Sequence, residues 1–209
     1  MEGLSKTINK KQRELIITND GVYGLLGLKS NNGFTIEGRY FNNMLQYYYF
    51  YLATNNTSLQ NSIMKVKTTA GLNIIYGNKY GYKTCTPELH IYHYNWKRSI
   101  KILIRGLKSK INQNPDVKMI LISTGDCYIK YQAGNDMFLG CGFDNKGLNL
   151  LGILLMMIRD EILKKKDTSS TNLFHNACFH LNCIEIAQPY VMGNPLNIIY
   201  ESDEDDDYN

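Results

Sequence analysis

A carboxylate and a run of glycines stand together in the segment DMFLGCGFDNKGLNLLGILLMMIR, residues 136 to 159. Asp136 opens it, a turn rich in glycine follows at Gly140, Gly142 and Gly147, and an apolar run closed by Arg159 completes it. Glycine gives the backbone access to positive φ and close approach to a ligand, and a helix start offers N–H donors without intrahelical partners. Together these features suit an anion. Asp136 is the carboxylate of this segment and could equally cap a turn, as Asp before glycine commonly does.

Other residues carry chemistry with a structural alternative beside it. Trp96, the single tryptophan, could stack on a base or ring, or could be core at a helix start. Asn149 could bond a phosphate or ribose oxygen, or satisfy neighbouring backbone groups. Gly140 and Gly142 are candidates to approach a ligand, although turn geometry and close packing would also call for them. Arg159 reads as one half of a structural ion pair. His175, Cys178, His180 and Cys183 are types that zinc prefers, yet on a strand they split between two faces, so no metal site is expected. No cysteine stands beside a histidine and a carboxylate in a pattern that would make a nucleophile.

The elements that must position these groups follow from periodicity. Leu148 to Ile158 is interrupted only by Asn149 and Gly152, which predicts a buried central helix at about residues 147–163, too short to span a bilayer. Arg13 to Thr18 reads as a strand, and Phe34 to Ile36 with Arg39 to Phe41 as a hairpin about Glu37-Gly38. Asn42 or Asn43 can cap a helix MLQYYYFYLA, whose dense aromatics, Tyr48 among them, require one buried face and another that lines something else. Residues 58–67 and 69–76 suit short helices and 77–94 a loop. Trp96 to Ile111 shows an apolar stripe at Ile100, Leu103, Ile104 and Leu107 against a basic one at Lys97, Lys101, Arg105 and Lys108. A short helix is expected over 116–123 and a strand over 127–131. Residues 164–171 read as a polar linker, and β-type runs recur at FHNACFHLNCIEI and LNIIY.

The order Asp136, Leu139, Gly140, Gly142, Gly147, Asn149, Leu151, Gly152, Leu154, Leu155, Met156 and Arg159 resembles the carboxyl-terminal signature of the NADAR, or YbiA-like N-glycosidase, family. Asn95-Trp96, the basic helix after it and the ILISTGD segment are similar to the family pattern as well, one residue short between the tryptophan and the proline. The resemblance covers about residues 34–163. It implies an α+β fold, mainly helical, with a small antiparallel sheet and the buried central helix. It also implies N-glycosidase chemistry on phosphorylated riboflavin-pathway intermediates or on ADP-ribose attached to guanine, with Asp136 at the anomeric carbon, Trp96 lining the pocket and no cofactor. The pattern is broken on the aromatic helix, where the positions of the family's Glu and Lys hold Leu45 and Leu52, and a Leu-Ser-Asn motif has become Leu26-Gly27-Leu28. Leucine neither transfers protons nor forms a Schiff base. The implied protein is therefore catalytically impaired, with a pocket for a phosphoribosyl or ADP-ribosyl small molecule or a modified nucleobase that includes Trp96, Gly140, Gly142, Asn149 and Tyr48. The alternatives are an active N-glycosidase relying on Asp136, or a protein that keeps only the fold and binds a partner through its tyrosines or its C-terminal extension.

Size and charge bound the rest. A chain of 209 residues with 44% hydrophobic content suits one domain. The expected organisation is a basic arm over 1–12, the domain over 13–166, an extension packed on it over 167–200 and an acidic tail over 201–209. The tail's six acids are set against a formal charge of +4, so the body without them carries +10. Such a surface favours phosphates, nucleotides or RNA unless its lysines are simply solvated. Five cysteines in no regular framework fit a reduced, cytoplasmic setting without a membrane partner, and the Asn, Ile, Lys and Tyr usage fits an AT-rich genome such as that of a large DNA virus.

Overall fold

A computed structural model describes residues 13–79, 96–132, 138–164 and 170–178. Its elements run β1 (Glu14–Ile17), a 3₁₀ turn (Val22–Leu26), β2 (Phe34–Ile36), β3 (Arg39–Phe41), α1 (Met44–Leu52), α2 (Thr57–Lys65), α3 (Thr69–Lys79), α4 (Trp96–Gln113), α5 (Pro115–Ser123), β4 (Tyr128–Tyr131) and α6 (Leu150–Ile162). The fold is α+β and mainly helical, as expected. Residues 170–178 form a further helix.

The hairpin forms where turn chemistry places it. Glu37 and Gly38 both take left-handed backbone, φ 52° and 72°, which suits a two-residue connection between twisted antiparallel strands. Phe34 pairs with Phe41 and Ile36 with Arg39. A second pairing, β1 with β4, is parallel and runs from Glu14 opposite Tyr128 to Ile17 opposite Tyr131. The expectation of an antiparallel sheet covers only the first of the two.

Asn43 caps α1, its side chain accepting from the Gln46 N–H at 2.9 Å. The expected open face of this helix is absent: of residues 44–52 only Tyr51 leaves the core. Gln46 shows why the helix is covered all round. Its buried amide donates to the carbonyls of Ile63 and Val66, both at 3.2 Å, and its oxygen accepts from the Asn42 N–H, which ties α1 to the end of α2.

α6 is the central buried helix, with residues 150–156 and 158–160 all inside. Residues 170–178 depart from expectation, since Ser170 and Thr171 begin a helix instead of ending a linker, and 174–178 are helical instead of extended. Leu173, Phe174, Ala177 and Cys178 face the core at a helical spacing, and that burial decides the local structure. The loop expected over 77–94 contributes its first three residues to α3, and residues 80–94 lie outside the described residues.

Candidate functional site

The start of α6 is built by its own loop. Asn149 takes a left-handed backbone at φ 54°, and its side chain joins helix and strand: Oδ1 accepts from the Tyr131 N–H at 2.8 Å, and Nδ2 donates to the Ile129 carbonyl at 2.7 Å and the Tyr128 hydroxyl at 3.3 Å. The N–H groups of Asn149, Leu150 and Leu151 donate to the carbonyls of Gly140, Phe138 and Leu139 at 2.9 to 3.0 Å. The expectation that this helix start offers unpaired donors to an anion is thus overturned for these three amides. Gly142, at φ 65°, makes the turn that brings the loop back onto the helix. Gly140 and Gly142 are both buried. Gly152 lets α6 approach β4, because a Cβ there would meet the Ile129 carbonyl oxygen and the amide of Asn149.

Leu45 and Leu52 lie two turns apart on α1, so at 100° per residue they project on nearly the same side, with Tyr48 between them. All three are core residues, Leu45 at 1% exposure, Leu52 at 8% and Tyr48 fully enclosed. The Leu45 N–H donates to the Leu28 carbonyl at 3.0 Å, which sets the segment Leu26-Gly27-Leu28 against the start of α1. Trp96 is buried at the first position of α4. Asp136, the candidate carboxylate, lies outside the described residues, as do His90, His93, His180 and Cys183. Among the described residues no group of His, Cys, Asp and Glu is arranged to hold a metal.

The flank of α1 at Tyr51, about 100° round from Leu52, carries a different constellation. The Glu37 carboxylate accepts from Arg105 and, at 2.7 Å, from the Tyr51 hydroxyl. The Arg105 bond first and the Tyr51 bond second hold Glu37 below the usual carboxylate range, whereas burial and then the Glu37 bond push Tyr51 up to about 12. Arg159 is pinned by the Thr124 hydroxyl and the Cys127 carbonyl, both at 2.9 Å, beside Asp160 at 3.5 Å, in keeping with a structural role.

Lys110 is a buried cation that pattern reading passed over. Its ammonium donates to the carbonyls of Leu25 at 2.7 Å and Gly27 at 2.8 Å and to the Ser30 hydroxyl at 2.6 Å. Burial lowers its pKa to about 7. The signal was present, because position 110 continues the stripe of Leu103 and Leu107 and a lysine on that stripe has to find partners inside.

The sequence profile of the NADAR domain matches residues 23–163. The chain belongs to the NADAR domain family. Within this family it is 31% identical over 91 residues, 43% of its length, to the chloroplastic riboflavin biosynthesis protein PYRR of Arabidopsis thaliana. It is 31% identical over 74 residues, 34% of its length, to the N-glycosidase YbiA of Shigella flexneri. Those alignments span 15% and 46% of the two relatives, so this NADAR chain matches less than half of either. The NMR structure of YbiA from E. coli superposes with a TM-score of 0.59 over 77% of this chain and 92% of that one, at 18% identity, which shows a shared fold. No helix among the described residues is long and apolar enough to cross a membrane.

Proposed function

We propose that this NADAR chain is a catalytically impaired relative of the N-glycosidases that retains a pocket for a phosphoribosyl or ADP-ribosyl group. The observation that carries the reading is the burial of Leu45 and Leu52, at 1% and 8% exposure, at the positions where the resemblance expects a glutamate and a lysine. Cleavage of an N-glycosidic bond passes through an oxocarbenium-like sugar and needs a carboxylate together with a positioned water or a covalent partner. Two aliphatic side chains packed into the core supply neither. In this reading Asp136 holds a sugar hydroxyl, Trp96 stacks on the base or ring, and Gly140 and Gly142 allow the backbone to approach. Asn149 and Tyr48 complete the wall. The relatives' names, an N-glycosidase and a riboflavin biosynthesis protein, support descent from N-glycosidase chemistry.

The test is a titration with ADP-ribose followed by Trp96 fluorescence, with a parallel incubation with ADP-ribosylated guanosine. Saturable quenching without release of guanosine and free ADP-ribose is expected. Release that disappears in Asp136→Asn overturns the impaired reading and restores an active N-glycosidase. Absence of both binding and release overturns the pocket, leaving the fold as a scaffold for partners.

A further inference from the structure

α4 carries Lys97, Arg98, Lys101, Arg105, Lys108 and Lys110 and no Asp or Glu. At 100° per residue the first five fall within an arc of about 100°, while Lys110 lies across the helix in the core with Leu103 and Leu107. Lys97, Arg98, Lys101 and Arg105 are exposed, and the row from Lys97 to Lys108 is about 16 Å long. Arg39 on β3 is exposed as well.

These cations are ordered by what lies beneath them. Arg98 donates to the Tyr51 carbonyl at 3.0 Å and to the Thr54 hydroxyl, which fixes it over the end of α1. Arg105 lies over the Tyr51 ring at 5.6 Å, Arg39 over the Phe50 ring at 4.3 Å and Lys97 over the Trp96 ring at 5.7 Å. Side chains already held in place lose less freedom when a ligand binds them. Among the described residues two carboxylates answer the row and both stand toward its far end, Glu37 at Arg105 and Glu161 at Lys108. Lys97 and Lys101 make no ion pair among the described residues. The result is a linear positive face with aromatic rings under its cations, suited to a linear chain of negative charges.

We propose that the exposed face of α4, continued by Arg39, binds the phosphodiester backbone of a single-stranded nucleic acid. A single strand fits because its flexible backbone lets successive phosphates follow a short row of cations. None of the six cations belongs to the proposed ADP-ribose pocket, so the two readings stand or fall separately.

The experiment measures binding of a labelled oligonucleotide of about 20 nucleotides to the full chain by fluorescence anisotropy, between about 50 and 200 mM salt. Binding that weakens steeply with salt is expected. In the double variant Lys97→Gln, Lys101→Gln the slope of log affinity against log salt becomes shallower by about 1.4, since each lost phosphate contact on a single strand removes about 0.7. Circular dichroism should show that the variant is folded. Absence of binding at the low-salt end overturns the proposal, and so does a variant whose slope equals that of the parent. Displacement of the strand by polyglutamate at lower concentration than by unlabelled oligonucleotide also overturns it.

Discussion

The Lys110 ammonium and the Ser30 hydroxyl lie 2.6 Å apart inside the protein, and the same hydroxyl donates to the Leu25 carbonyl at 2.9 Å. Together with the lysine's bonds to Leu25 and Gly27, this contact fastens the turn after Val22–Leu26 to α4 and, through the Leu28 carbonyl, to the start of α1. Lys110→Met takes away the ammonium and leaves the single Ser30 hydroxyl to serve the Leu25 and Gly27 carbonyls, and should lower stability by about 2 kcal/mol, read from the midpoint of urea unfolding. The lysine also makes stability depend on pH. Its pKa falls from 10.5 when unfolded to about 7 when folded, so between these values the unfolded chain holds a proton that the folded one has released. Raising the pH from 7 to 10 should therefore stabilise the parent relative to Lys110→Met, and the advantage should disappear below pH 7.

Asn149→Ala removes the three bonds that join the start of α6 to β4 and places a residue with a Cβ at φ 54° without a side chain to hold it there. A loss of about 3 kcal/mol is expected in urea unfolding. Asn149→Gly, which accepts the backbone geometry, should recover only the smaller, conformational part of that loss.

Gly152→Ala should cost about 2 kcal/mol by differential scanning calorimetry, because the new methyl group would meet the Ile129 carbonyl oxygen and lie 2.6 and 2.7 Å from the amide atoms of Asn149. Backbone and a fully bonded amide cannot step aside as a flexible side chain would. Combined with Asn149→Ala, the penalty should be less than additive, since the two substitutions disturb the same contact.

Leu45→Glu restores a carboxylate at the position where the family resemblance expects one, but it does so in the core. It should destabilise the protein by about 3 kcal/mol at neutral pH and by less as pH falls toward 5, because protonation removes the buried charge. Thermal melts at the two pH values give the comparison. The same variant, assayed with ADP-ribosylated guanosine, should still fail to release guanosine, since Leu52 leaves the second reactive group missing.

Local chemistry was readable from sequence wherever neighbouring residues decided the outcome. The hairpin from Phe34 to Phe41 follows from its turn, the cap at Asn43 from its spacing to α1, and the buried α6 from the unbroken apolar run after Asn149. The features that escaped depend on distant partners. The pairing of β1 with β4 joins residues more than a hundred positions apart, and nothing in Glu14–Ile17 names Tyr128–Tyr131 as its complement. The amides at the start of α6 read as vacant because periodicity cannot show the loop folding its carbonyls back onto them. Lys110 was missed because a basic residue on a helix rich in basic residues invites a surface assignment. Residues 174–178 misled through their alternation, which burial of Phe174 and Ala177 overrode. On α1, the leucines at 45 and 52 were legible as departures from the family pattern, and the structure adds that both are enclosed.

The far margin of β4 is fully engaged. The Ile129 N–H meets the Met156 sulfur at 3.3 Å, the Ile129 carbonyl takes the Asn149 amide, and both main-chain groups of Tyr131 are used by Asn149 and Cys141. Among the described residues the parallel ribbon can therefore be widened only beside β1, where Ile16 stands 54% exposed. A peptide that extends the ladder on that side would come alongside Glu14–Ile17, and a proline placed there would block it.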